Sequence, residues 1–129
     1  MPQNTSEENP LARHGAISYL EIAATDPRRS ASFYEHVAGW QIDERAERDF
    51  RFSGGGGRLI GRWVVGRVAS PEPGLLPLIY VSDLDSSLAS VVRRGGEIVE
   101  LPYLEGDVRV ARIRDPAGNL LGLWQFASR

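Results

Sequence analysis

The chain has 129 residues, 42% apolar and 25% charged, with a formal net charge of −2; that length suits one domain able to bury a real core. It has no cysteine, which excludes a disulfide framework, a thiol nucleophile and a cysteine metal cage. All 15 basic residues are arginine, so a lysine Schiff base and a P-loop lysine are excluded, and the interspersed, balanced charges leave no footprint for nucleic acid.

Residues 1–13 are polar, with nothing to bury, and read as a disordered tail. They lack a hydrophobic signal core, and no apolar run is long enough to span a membrane, so a cytoplasmic protein is expected. From Gly15 the segment ISYLEIAAT alternates and is β-branched enough for a strand. Asp26-Pro27 then opens a helix, with Asp as N-cap and Pro at the first helical position. Ala31, Phe33, Tyr34, Val37 and Ala38 recur at helical spacing until Gly39 stops it. Three strands follow: WQIDERA from Trp40, DFRFS from Asp49 and RLIGRWVVG from Arg58. Gly54–Gly57 is a turn between the last two and not a phosphate loop, since it lacks the lysine and the strand-to-helix context.

A Pro/Gly-rich linker over 69–75 marks a boundary, after which the pattern restarts. LPLIYVS is a strand. Asp83 opens a second helix carrying Leu84, Leu88, Val91 and Val92, which Gly95-Gly96 end, and Arg93-Arg94 suit its C-terminal dipole. EIVELPY, VRVARIR and NLLGLWQF supply three more strands, the last two joined by the turn Asp115-Pro116-Ala117-Gly118-Asn119. The same spacing separates Asp26 from Gly39 and Asp83 from Gly96. Gly57-Arg58-Leu59-Ile60-Gly61-Arg62-Trp63 also aligns without gaps on Gly118-Asn119-Leu120-Leu121-Gly122-Leu123-Trp124. Two matches in the same order argue for a duplicated βαβββ unit. The expected fold is α+β: one domain over 14–129, with two tandem modules, about 14–68 and 76–127, forming a half-open barrel whose concave face could hold a ligand.

That plan resembles the vicinal oxygen chelate superfamily of glyoxalases, bleomycin-resistance proteins and extradiol dioxygenases. The local matches are Thr25-Asp26-Pro27 with Phe33-Tyr34 and Gly39-Trp40, Asp83-Leu84-Asp85 with Gly95-Gly96, and Asp115-Pro116-Ala117-Gly118-Asn119 with Gly122-Leu123-Trp124-Gln125. The resemblance covers about Gly15 to Phe126, and its motifs are helix caps, stops and a turn, which argue fold more than activity. Enzymes of the superfamily hold a divalent metal on the first and last strand of each module. Carried over one at a time, those positions fall on Tyr19, Gly61, Leu76 and Gly122, which cannot supply an N/O ligand set. The resemblance therefore implies a metal-free member without a cofactor. His14, at the tail–strand junction, and His36, late in the first helix and expected to be solvent-exposed, fall far apart. Homodimerisation is implied by family analogy and by sheet edges that need covering.

Strand alternation sorts the expected cup lining. It takes Ile17, Tyr19 and Glu21 from the first strand, with Leu20 and Ile22 packing on the helix. Leu76, Leu78 and Tyr80 come from the fifth strand, Leu59, Gly61 and Trp63 from the fourth, and Leu120, Gly122 and Trp124 from the eighth. An aromatic and aliphatic cup with glycines on its floor suits a flat apolar ligand; aromatics that fill the cup themselves are the alternative. Glu21 is either a desolvated carboxylate fit for proton transfer or one that reaches solvent or pairs with an arginine, and either Arg109 or Arg112 could face inward. Three functions remain: a binder of a small apolar or aromatic molecule; a metal-independent isomerase, lyase or hydrolase using Glu21, with Tyr19 or Tyr80; and a scaffold with a filled cup.

Overall fold

The computed structural model describes residues 11, 12, 14, 16–70 and 74–127. The expected disordered tail falls almost entirely outside them, as does the middle of the linker. Chain order gives β1 (Tyr19–Ala24), α1 (Pro27–Ala38), β2 (Gln41–Ala46), β3 (Asp49–Gly54), β4 (Leu59–Val65), β5 (Leu78–Tyr80), α2 (Leu84–Arg93), β6 (Glu97–Glu105), β7 (Val108–Arg114) and β8 (Leu120–Phe126), with one short 3-10 turn at Gly55–Gly57 before β4. Each βαβββ unit forms its own four-stranded sheet, in the orders β1-β4-β3-β2 and β5-β8-β7-β6. In both, the first strand runs parallel to the fourth and the other pairs are antiparallel, so the duplication is visible as topology. No helix among the described residues is long and apolar enough to cross a membrane.

The helix signals act as their chemistry requires. The Asp26 side chain accepts from the backbone N–H of Arg28 at 3.1 Å and of Arg29 at 3.4 Å, and Pro27 occupies the first turn, where its missing N–H costs nothing. Gly39 ends α1 at φ 72, a left-handed conformation that favours glycine. In α2 the Asp83 side chain accepts from Ser86 N–H at 3.2 Å.

One continuous core joins the two modules. Ile22, Phe33, Tyr34, Trp40, Phe52 and Trp63 contribute from the first, and Leu84, Leu88, Val91, Ile113, Leu121 and Leu123 from the second. The first half is aromatic. Trp40 stacks between Tyr34 (ring centroids 4.7 Å) and Phe52 (4.5 Å), and Trp63 lies 4.9 Å from Phe52 and 5.7 Å from Tyr34. The second half is aliphatic. Tyr34 fastens the halves together: its buried hydroxyl donates to Asp115 Oδ2 at 2.8 Å, in the turn between β7 and β8. Asp115 also accepts from the N–H groups of Ala117 and Asn119 and from the Asn119 side-chain amide. Asn119 Nδ2 donates onward to the Ala23 carbonyl in β1, and Asn119 Oδ1 accepts from Ser70 N–H. The Asp-Pro-Ala-Gly-Asn run is thus both a turn and the clasp between modules.

Candidate functional site

Residues directly opposite each other in a sheet share a face, and in the first sheet this separates two chemistries. Tyr19 pairs with Ile60, Glu21 with Arg62, and Ser53 with Ile60. These residues and Arg51 form the face turned away from α1. Gly61 pairs with Leu20 and Phe52, and Trp63, 3% exposed, is packed in the core beneath α1. The expected inward orientation of Leu59, Gly61 and Trp63 is therefore reversed, while that of Tyr19, Glu21, Leu20 and Ile22 is as expected.

The cause is a one-residue offset. Glu21, five residues before the α1 cap, pairs with Arg62, whereas Leu78, five before the α2 cap, pairs with Gly122. Arg62, not Gly61, is the counterpart of Gly122. The gapless Gly-x-Leu-x-Gly-x-Trp match is out of step with the fold, and a shift of one residue turns every side chain of a strand over. Gly61 is needed for packing: a Cβ there would lie 1.9 Å from the Leu20 carbonyl oxygen and 2.5 Å from the Phe52 ring.

In the second sheet Leu78 pairs with Gly122 and Tyr80 with Trp124, and Val110 and Arg112 lie across β8 from Trp124 and Gly122. Leu121, Leu123, Ala111 and Ile113 are buried on the opposite face. Leu78, Tyr80, Leu120, Gly122 and Trp124 thus stand on the face turned away from α2. Tyr80, Trp124 and Phe126 cluster there, with centroids 5.0 Å apart for Tyr80–Trp124 and 5.2 Å for Trp124–Phe126. The strand that sequence could not orient is resolved: Arg112 lies on this open face, and Arg109 reaches Asp85 in the first turn of α2 at 3.2 Å.

The predicted lining is not gathered in one cup. A cavity of about 520 Å³ opens between β1, the linker and the start of β5 and β8. It takes Glu21, Leu59, Leu78 and Leu120 from the expected site, with Ile17 and Leu76 from the wider expected lining, and its wall is mainly aliphatic, with Tyr34 and Trp40 as its aromatic members. A second hollow, about 280 Å³, lies on the open face of the first sheet and touches Tyr19 and Gly61 among polar neighbours including Asp43, Arg45, Arg51 and Ser53. Tyr80, Gly122 and Trp124 line neither, and Trp63 is core. Gly122 is no vacancy, because the Leu78 side chain lies where its Cβ would be, at 2.5 Å.

Glu21 sits at the cavity wall, three-quarters buried, held by Arg67 and by Arg62 Nε at 3.2 Å. The hydrogen bond from Arg67, then that from Arg62, holds its carboxyl below the usual glutamate range, against the opposing effect of burial. The expectation of a raised proton affinity fails; the pairing alternative is what the structure has. Arg67 follows β4 and carried no pattern that could have picked it out, as its link to Glu21 is purely tertiary. Tyr34 is pushed far above the ordinary tyrosine value, by burial first and by the Asp115 charge second; its role is structural. His36 is exposed on α1, bonded through Nδ1 to the Ser32 carbonyl at 2.8 Å, and His14 is also exposed.

A family model described as a glyoxalase-like domain matches residues 19–123, nearly the whole of both modules. The chain belongs to the glyoxalase-like family. Its fold is that of the vicinal oxygen chelate superfamily. CFP32 of Mycobacterium bovis, a protein named for a glyoxylase, is 29% identical over 126 residues, which cover 88% of this chain and 46% of that protein. The chain therefore spans about half the length of that relative. Among solved structures, a glyoxalase/bleomycin resistance protein/dioxygenase family enzyme from Burkholderia phytofirmans superposes with a TM-score of 0.69 at 17% identity, over 84% of this chain and 98% of that one. TnmS3, an antibiotic binding protein from a Streptomyces species, gives 0.62 at 22%, over 87% and 96%. At these identities the structures speak for the fold.

The metal positions implied by the superfamily can be tested against the glyoxalase-like fold seen here. With β4 in its true register they carry Tyr19, Arg62, Leu76 and Gly122. That set offers one phenol and a permanent cation, with no imidazole or carboxylate, and does not fit a divalent ion. Among the described residues no group of three or more His, Cys, Asp or Glu is placed to hold one.

Proposed function

We propose that this glyoxalase-like chain binds a small, largely apolar molecule between its two modules, without a metal ion. The observation that carries the reading is the cavity of about 520 Å³ walled by Ile17, Leu20, Leu59, Leu75, Leu76 and Leu120, with the Glu21–Arg67 pair as its polar feature. Its volume is in the range of small-molecule sites, and aliphatic walls with few fixed polar groups favour an apolar guest oriented at one end. The name of TnmS3, antibiotic binding protein, supports binding as a role for this fold.

Glu21 as a proton-transfer group is disfavoured, because a carboxylate held ionised by two arginines is a weak base near neutral pH and carries no proton to give. A wholly filled scaffold fits the local filling at Gly61 and Gly122 but leaves the cavity without a purpose. Homodimerisation is part of the proposal. Strand β6 is a sheet edge, and it exposes Val99, Leu101 (73% exposed) and Leu104 (68%), an apolar edge of the kind that pairing covers.

The test uses the neutral fluorescent probe N-phenyl-1-naphthylamine. Saturable binding at one probe per chain is expected, weakened about tenfold or more by Leu76→Trp, which fills the cavity with an indole. A linear, unsaturable response, or equal affinity in a folded Leu76→Trp protein, overturns the reading.

A further inference from the structure

The cavity between the modules is apolar along its walls and carries a surplus of positive charge at one place. Its lining grades from exposed to buried: Ile17 (82% exposed), Val68 and Leu75 stand at the rim, while Ile22, Trp40 and Leu121 are buried within. Glu21 and Arg67 are the charged side chains of this lining among the described residues. The Glu21 carboxylate is shared between two cations. Arg62 Nε holds Oε2 at 3.2 Å from the open face of the first sheet, and Arg67 Nη2 meets Oε1. Two guanidinium groups thus face one carboxylate, which leaves one positive charge in excess. Arg67 has no other partner among the described residues, and a guanidinium offers more N–H groups than one oxygen can occupy. The polar groups deeper in the cavity are already spent. The Tyr34 hydroxyl donates to Asp115, Asn119 Nδ2 donates to Asp115 and to the Ala23 carbonyl, and Asn119 Oδ1 accepts from Ser70 N–H.

We infer that the guest of this cavity is an aliphatic monocarboxylic acid, held tail inward with its carboxylate on Arg67. The inference rests on the proposed binding role and adds to it the class of ligand. A carboxylate at this place neutralises the excess charge and accepts from the N–H groups that Glu21 leaves unused, while Arg62 keeps Glu21 paired. The Arg67 side chain is 54% exposed, so it meets the acid without a large loss of its own hydration. The tail then lies against leucine and isoleucine side chains, and each methylene taken out of water strengthens binding about fourfold. A second polar group at the far end of the tail has no free partner there and is bound at a cost, so a diacid of the same length is rejected. A cationic head group is rejected as well, because both oxygens of Glu21 are already engaged and the remaining charge is positive.

The experiment displaces bound N-phenyl-1-naphthylamine from the full chain at neutral pH with octanoate, octan-1-ol, octylammonium and octanedioate. Octanoate is expected to compete about tenfold or more better than octan-1-ol, the gain of a charge-assisted hydrogen bond, and better than the other two. Hexanoate should be weaker than octanoate by about fifteenfold, the effect of two methylenes. Arg67→Met should bring the ratio of octanoate to octanol affinity close to one, and Arg67→Lys should restore part of it. Glu21→Gln, which frees Arg67 of its competitor, should raise that ratio. Equal affinities for octanoate and octanol, a preference that survives Arg67→Met, or tighter binding of octylammonium each overturn the inference. So does a ratio that falls in Glu21→Gln, or octanedioate that competes as well as octanoate. The probe itself keeps the two proposals apart: a probe that does not bind saturably removes the cavity as a site, whereas a bound probe displaced equally by acid and alcohol removes the acid alone.

Discussion

The two modules share one topology and invert its chemistry. In the first, four aromatic rings lie under the helix and the open face is charged, with Glu21, Arg51 and Arg62 around Tyr19. In the second, the core is Leu, Ile and Val, and the aromatic rings stand on the open face. The tryptophans Trp63 and Trp124 end the same sequence motif, yet one is the floor of the core and the other stands on the open face beside Tyr80 and Phe126. The comparison teaches that in a sheet protein a residue's role follows from its pairing register before its identity. Glu21 and Leu78 occupy equivalent positions, and so do Arg62 and Gly122, and each pair has opposite polarity.

The sharpest way to break this comparison is to remove each tryptophan. Trp63→Ala excises a fully packed ring between Tyr34 and Phe52, at an expected cost of about 3–5 kcal/mol and a large fall in melting temperature. Trp124→Ala removes a half-buried ring from an open face, at about 1 kcal/mol. Equal losses in denaturant unfolding would mean that the two faces are not distinct.

The contrast also locates the limit of what the sequence could convey. Caps, stops and turns are local, so Asp26-Pro27, Gly39, Asp83 and the Asp115–Asn119 turn reveal the helices, the strands and the duplication directly. The faces of β1, β5 and β8 follow from alternation counted back from a helix cap or forward from that turn. The face of β4 does not. Gly55–Gly57 forms a short 3-10 turn before it, which leaves the strand without a fixed phase, and a chance Gly-x-Leu-x-Gly-x-Trp match then set the wrong one. The ion pair between Glu21 and Arg67 and the bond from Tyr34 to Asp115 join distant parts of the chain. No local pattern carries such links, and for that reason the division of the expected cup into a core, a cavity and an open face had to come from the structure.

A smaller effect sharpens the role of the clasp between the unlike halves. Tyr34→Phe keeps the ring in its stack and removes the hydroxyl that donates to Asp115. Asp115 keeps its bonds to Ala117 and Asn119, so the expected loss is that of one buried charge-assisted hydrogen bond, about 1.5–3 kcal/mol. Chemical denaturation should show one transition with a lower midpoint and an unchanged slope. Two transitions would mean that the modules are held together mainly by this clasp and not by the shared core.

The least of the expected effects concerns the charged open face itself. The carboxyl of Glu21 is held below its unfolded value by Arg67 and then Arg62, so the folded state binds its proton less readily than the unfolded state does. Linkage then gives the sign: the contribution to stability is fully present above the unfolded glutamate pKa of about 4.3 and disappears as pH falls through the lower folded value. Both arginines are substantially exposed, and solvent screens the pair, so the effect is small and salt-sensitive. Comparing melting temperatures of the native protein and Glu21→Gln from pH 7 to pH 3 isolates it, because the glutamine cannot titrate. The native protein should melt higher at neutral pH, and the gap should close on acidification below pH about 4 and narrow in high salt. A gap that instead widens on acidification would mean that Glu21 takes up its proton in the folded state first. That outcome would restore a proton-transfer role to the first module and remove the electrostatic half of the contrast between the two.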